Sequence, residues 1–210
     1  MATRYYLTGP DGCGKTTYLK ALTNHFSQEG LATTHIWLRS PKIFSKPLMA
    51  YCRLVGLTKY QTIDGIKYGG HFFYKSKFVS RLYPWLQLID FRIKFKTVSN
   101  LFDSEHIVLF DRFSLDTLAD LMADTERFDL HKTRVGKMFL DLIPGNTKII
   151  VLSTSKDNIR KRKADTLHDP LLEKKIKAYR VLSNDLCLDT VDNNRDFQVV
   201  KKEILHKFSL

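Results

Sequence analysis

Cysteine is scarce and poorly placed for cross-linking: Cys13, Cys52 and Cys187 stand far apart, with no C-x-x-C pair. An odd count at such spacing argues against a disulfide framework and a zinc site, and fits reduced thiols in a cytoplasmic compartment. No apolar run approaches the ~20 residues that span a bilayer, so no membrane partner is expected. The chain enters a strand-like run within a few residues of Met1, which leaves no room for a signal peptide. Low-complexity stretches, repeats and Pro/Gly/Ser linkers are missing as well, so the 210 residues, 43% of them hydrophobic, read as one domain over 1–210. Acids are nearly missing from residues 31–100, where twelve Lys/Arg face Asp64 and Asp90 and supply +10 of the formal net charge of +12. A merely soluble face intersperses both signs. This field favours an anionic partner, either a small phosphorylated molecule or nucleic acid.

Glycine clusters where it matters. Gly9-Pro10-Asp11-Gly12-Cys13-Gly14-Lys15-Thr16 has the spacing G-x-x-x-x-G-K-[ST], with Thr17 next. It lies between the β-favouring run Arg4–Thr8 and an amphipathic helix over Gly14–Gln28. That order has a physical purpose. A strand aims the chain, glycines let backbone N–H groups wrap a polyphosphate, and the helix amino terminus presents its positive end. ATP is the expected donor across Gly9–Thr17, with Lys15 reaching the β- and γ-phosphates and Thr16 holding Mg²⁺. Lys15 is expected at an exposed loop–helix junction, and Cys13 as a small tolerated group rather than a nucleophile.

Further strand-like runs fall at Thr33–Leu38, His106–Phe110, Thr147–Ser153 and Leu186–Val191. Helical patterns fall between them over 72–98 (broken near Pro84), 114–123, 132–142, 156–163, 171–184 and 195–208. Short apolar strands alternating with helices imply α/β architecture: a five-stranded parallel sheet flanked by helices in three layers, the P-loop NTPase fold. The site then lies at the carboxyl edge of the sheet. The stretch Pro41–Gly70, rich in turn residues, Lys and aromatics, reads as a basic excursion that could wall a second pocket.

Ile107-Val108-Leu109-Phe110-Asp111 is an apolar run ending in an acid, the Walker-B pattern, so Asp111 is a second candidate for the Mg²⁺ shell. Arg112 follows; its planar fork suits a phosphate monoester, and a salt bridge to a neighbouring acid is the plainer alternative. Asn158-Ile159-Arg160-Lys161-Arg162-Lys163 reads either as a solvated helix face or as a basic flap that closes over a transferring phosphoryl group.

Taken together these segments resemble the thymidylate kinase family of nucleoside monophosphate kinases, diffusely but almost end to end. The resemblance implies that Asp11 lies near the acceptor's sugar hydroxyl. Arg39-Ser40-Pro41 is similar to the family's R-x-P segment, and 39–100 becomes the acceptor-binding region. Phe73-Tyr74-Lys75-Ser76-Lys77 resembles the helix whose Phe stacks on the acceptor base, with Lys77 where the family has Arg. For Phe73, core packing is the alternative. Asp111-Arg112-Phe113 is similar to D-R-[YH], which implies that Arg112 grips the acceptor phosphate. Arg160 and Arg162 fall in the family's LID, here 156–170, and Leu188-Asp189-Thr190 resembles its last strand. After that motif the family presents amide, hydroxyl and tyrosine groups to the base; here stand Asp116, Ala119, Asp120 and Leu121. Asp116 and Asp120 therefore read as substrate contacts or as an exposed helix face.

The expectation is a kinase that moves the ATP γ-phosphate to a nucleoside monophosphate, dTMP for preference, with a homodimer among the assemblies open to it. Two alternatives stay open: the same fold with a different acceptor, such as a nucleoside or phosphorylated metabolite, and an ATP-gated nucleic-acid-binding P-loop protein.

Overall fold

A computed structural model describes residues 3–63, 65–103 and 106–210; Asp64, one of the two acids of the basic third, lies outside the described residues. In chain order the elements are β1 (Arg4–Thr8), α1 (Lys15–Gln28), β2 (Thr33–Ile36), α2 (Lys46–Leu54), β3 (Thr58–Ile63), β4 (Ile66–His71) and α3 (Lys77–Val98). There follow β5 (Ile107–Asp111), α4 (Ser114–Thr125), α5 (Arg134–Leu140), β6 (Thr147–Ser153), α6 (Lys156–Arg162), α7 (Leu172–Asp185), β7 (Asp189–Asp192) and α8 (Phe197–Phe208). Five strands form one parallel sheet in the order β2-β5-β1-β6-β7.

The pleat separates two cores. Tyr6, Val108, Phe110 and Val151 pack with Phe91, Leu118, Phe139 and Leu182 from α3, α4, α5 and α7. Tyr5, Leu7, Leu109, Ile150 and Leu152 pack with Leu22 and Ile204 from α1 and α8. Strands buried on both faces have to be apolar at every position, which is why these runs show no alternation. The α/β architecture, a parallel sheet flanked by helices, stands as expected.

Two local expectations are corrected. The helix over 72–98 breaks at Ser76, not at Pro84: a 3₁₀ turn over Phe73–Lys75 precedes Ser76, which caps α3 by accepting from Val79 N. Pro84 cannot donate to the Ser80 carbonyl, and Arg127 Nη1 supplies the missing donor to that oxygen at 3.4 Å, so α3 runs through. The 41–70 excursion contains structure of its own, helix α2 and an antiparallel hairpin, β3 with β4.

Asp90 fastens that excursion. It is fully buried in α3 and accepts from the backbone N–H of Ile43, Phe44 and Ser45 at 3.1, 2.7 and 3.1 Å and from Ser45 Oγ at 2.6 Å. A carboxylate out of water is tolerable with such a full set of donors. Removing it strands them. Asp90→Ala is expected to lose about 3–5 kcal/mol in urea unfolding, with the 41–46 segment the first to gain amide exchange.

Candidate active site

The P-loop leaves β1 and turns back through backbone conformations that demand glycine. Gly9 has φ 148°, and a Cβ there would lie 2.6 Å from the Leu152 carbonyl oxygen. Gly14, at φ 95°, caps α1, and a Cβ there would lie 2.9 Å from Asn193 Nδ2. Both glycines are therefore fixed by close approach as well as by φ. Asn193 follows β7 and is 2% exposed. Its Nδ2 donates to the Cys13 carbonyl and its Oδ1 accepts from Tyr18, both at 2.6 Å; its own carbonyl accepts from Arg162 at 2.9 Å. One amide thus ties the loop, its helix and the basic flap together. No sequence signal marked it.

Thr16 and Asp111 meet as expected: Oγ1 donates to Oδ2 at 3.4 Å, at the rim of a cleft of about 550 Å³. Asp11, Gly12, Gly14, Lys15, Thr17, Arg112, Arg39 and Arg162 share that cleft. Burial raises the Asp111 pKa, while the Lys15 ammonium and the Thr16 hydroxyl act to lower it. A hydroxyl and one carboxylate side by side fit Mg²⁺, which asks for one or two protein oxygens and completes its shell with phosphate and water. Lys15 departs from expectation. It is 6% exposed, not at an open junction, and its ammonium donates to the carbonyls of Gly9 at 2.5 Å and Pro10 at 3.0 Å. Cys13 is buried, which raises its thiol pKa and leaves it an inert packing group. All three cysteines are free.

Arg112 takes a left-handed φ of 71°, rare for a side-chain-bearing residue, with its carbonyl held by Leu38 N at 3.0 Å. Its guanidinium is ion-paired with Asp11 across the cleft. Burial works against its charge, but Asp116 above all, with Tyr179, Asp120 and Tyr6, outweighs that and raises its pKa.

A second cleft of about 180 Å³ opens beside the first, between the excursion, α3, α4 and α7. Arg39 lines both and pairs with Asp120 at 3.7 Å. The new wall consists of Ser40, Lys42, Gly69 and His71, so the basic excursion does wall a second pocket. Its far end reaches the flap: Tyr68 of β4 donates to the Ala164 carbonyl at 3.0 Å.

Of the expected substrate contacts only Arg39 lines this cleft: Asp11 and Arg112 line the first, and Phe73, Lys77 and Asp116 line neither. Phe73 is fully buried, its ring 4.5 Å from Tyr83 and stacked at 5.1 Å behind His71. Lys77 is exposed at the start of α3 and lies outside the lining. Asp116 is 2% exposed and saturated: its carboxylate accepts from Thr8 Oγ1 (2.9 Å), Tyr179 (2.8 Å), Phe113 N (3.0 Å) and Tyr6. It is neither a substrate contact nor an exposed face, because α4 is enclosed almost all round. Of the two flap arginines, Arg162 lines the P-loop cleft; Arg160 lines neither cleft.

No family model matches this chain, and no curated protein matches its sequence. Among the described residues no helix is long and apolar enough to cross a membrane.

With four donors aimed at it, Asp116 is expected to matter for stability. Asp116→Ala should cost about 3–5 kcal/mol in chemical denaturation. Unchanged stability together with a raised acceptor KM would return Asp116 to the substrate side.

Proposed function

We propose that this chain has the P-loop NTPase fold and is an ATP-dependent phosphotransferase whose acceptor is a nucleoside monophosphate. The observation that carries this reading is the shared wall. The cleft holding Lys15, Thr16 and Asp111 adjoins a second cleft, with Arg39 lining both and Arg112 between Asp11 and the Asp116/Asp120 carboxylates. A phosphoryl donor in the first and an anionic acceptor in the second would meet at the arginines.

In this reading ATP occupies the Gly9–Thr17 loop. Lys15 would exchange its carbonyl partners for the β- and γ-phosphates, and Thr16 and Asp111 would hold Mg²⁺. The metal, when bound, supplies neutralisation of the charge on the donor's phosphate oxygens. Arg112 releases Asp11 to pair two oxygens of the acceptor phosphate, and Asp11 then faces the acceptor's sugar hydroxyl. Arg162, released from the Asn193 carbonyl, covers the transferring group. An acceptor phosphate oxygen is already anionic at neutral pH, so the attack in line on the γ-phosphorus needs no general base. Catalysis reduces to positioning and charge compensation.

Resemblance to thymidylate kinases makes dTMP the first acceptor to test. The burial of Phe73 and the outlying position of Lys77 favour a second reading in which the same reaction serves a different phosphorylated acceptor. A coupled ADP-release screen over dTMP, dUMP, UMP, CMP, dCMP and nucleosides decides between them. ATP turnover indifferent to every acceptor would sink the phosphotransferase reading.

Lys15→Ala is expected to slow transfer roughly a thousandfold or more. Because the change strands the Gly9 and Pro10 carbonyls, it should also destabilise the fold by about 1–3 kcal/mol. Lys15→Met fills the space and is the better control. Arg112→Lys turns a two-point grip into a point charge, and should raise the acceptor KM by roughly tenfold with the ATP KM unmoved. A shift in the ATP KM instead would place Arg112 on the donor side.

A further inference from the structure

The floor of the second cleft holds polar groups that the protein itself leaves without partners. Tyr83 and Asp124 are 4% and 7% exposed, both line the cleft, and neither has a hydrogen-bond partner among the described residues. Their oxygens are not sealed off from solvent but open into the cleft, where water or a ligand can complete the set. Beside them His71 lines the same cleft with its ring laid flat on Phe73, at an interplanar angle of 15°. Thr58 Oγ1, 3.1 Å from His71 Nδ1, pins that ring in place.

We infer that the acceptor is seated with a planar heterocycle against the His71 ring, its edge read by the Asp124 carboxyl and the Tyr83 hydroxyl. This rests on the reading of the cleft as the acceptor side of a phosphotransferase, and it names the residues that recognise the base. Stacking on Phe73 passes to His71, with Phe73 as its backing.

The charge state of the floor suits this task. Burial pushes the Asp124 carboxyl well above the ordinary range, and the Asp120 and Asp169 carboxylates add to that against Lys175 and Lys42. Asp120 is engaged by Arg39, and Asp169 by Lys175 at 2.9 Å. Burial, helped by Lys42, Lys175, Arg53 and Arg39, lowers the His71 pKa to about 4. A neutral imidazole is a stacking surface without the cost of burying a cation. When ionised the Asp124 carboxyl offers acceptors alone; when it holds its proton it offers an O–H donor and a C=O acceptor side by side. That pair matches adjacent donor and acceptor atoms on the edge of a nucleobase, and a thymine-type edge is met as well as a cytosine-type one. A bare sugar phosphate offers neither edge nor face.

Calorimetric titration of dTMP, dCMP and 2-deoxyribose 5-phosphate tests the assignment, without ATP, and with MgATP titrated separately into each variant. At least one nucleotide is expected to bind about thirtyfold or more tighter than the sugar phosphate. Asp124→Leu should cost the nucleotide roughly 10–100-fold and leave the sugar phosphate unmoved. Asp124→Asn keeps a donor beside an acceptor and should stay within about fivefold of wild type. Tyr83→Phe, which preserves the ring, should cost the nucleotide about fivefold, and carries the test if the Leu variant does not fold. His71→Ala should lose roughly tenfold for the nucleotide alone. Equal losses for nucleotide and sugar phosphate, a sugar phosphate that binds as tightly, or no binding by any of the three would overturn the inference. If the expected pattern appears but MgATP yields no phosphoryl transfer, the phosphotransferase reading fails and the base site stands. If transfer proceeds with a base-free acceptor preferred, the base site fails and the phosphotransferase reading stands.

Discussion

The carboxylate of Asp116 sits out of water at the carboxyl edge of the sheet, and four donors from three directions converge on it. Tyr6 and Thr8 come from β1, Phe113 N from the start of α4, and Tyr179 from α7. Everything in the candidate active site hangs from the elements it joins. β1 runs directly into the P-loop, β5 delivers Asp111 and Arg112 just before α4 begins, and α4 and α7 form the floor of the second cleft. A buried anion of this kind is weak evidence of net stability, since an apolar replacement of the whole cluster could do as well. Its contribution is positional: Tyr6, Tyr179 and the α4 terminus have one common partner and therefore one arrangement. Its charge also reaches Arg112, where with Tyr179, Asp120 and Tyr6 it outweighs the cost of burying a guanidinium.

Asp90 does the same for the acceptor side. By gathering three successive backbone N–H groups it lays the 43–45 segment on α3, and Gln87 adds a bond to Ser45 Oγ at 2.8 Å. With that anchor made, Arg39, Ser40 and Lys42 line the second cleft, and the hairpin behind them carries His71 into it. Tyr68 of the same hairpin ties it to the flap at Ala164, and the two clefts share Arg39. Of the twelve Lys/Arg of this third of the chain, Arg39 and Lys42 line the clefts, Arg39 both of them.

Charge placement also explains why residues of similar type have such different roles. Asp116 is saturated, Asp120 is shared with Arg39, and Asp124 is left alone on the cleft floor, although the three lie four residues apart on one helix. A spacing of four keeps them on the same face. What differs is what each meets along that face: two tyrosines, an arginine, and the second cleft.

The glycine loop after β1, the acid that ends β5 and the alternation of short apolar strands with helices were legible in the chain because each depends on local chemistry. Glycine at 9 and 14 is required by φ and by close approach, and strands buried on both faces must be apolar throughout. Thr16 and Asp111 could be paired in advance because the order strand, loop, helix fixes where β5 ends. The hairpin was not legible: lysines and paired glycines obscure the alternation of its strands. Core packing of Phe73 was one of its two readings and is the one the fold adopts, whereas the contacts of Lys77, Asp116 and Lys15 were not legible. Their environments come from residues distant in sequence, from Tyr83 behind Phe73 to Thr8 and Tyr179 on Asp116. Nor could sequence reveal Asn193, whose partners Cys13 and Tyr18 lie some 175 to 180 positions away. Periodicity fixes which way a side chain points from its own element; what it finds there is decided when the elements pack.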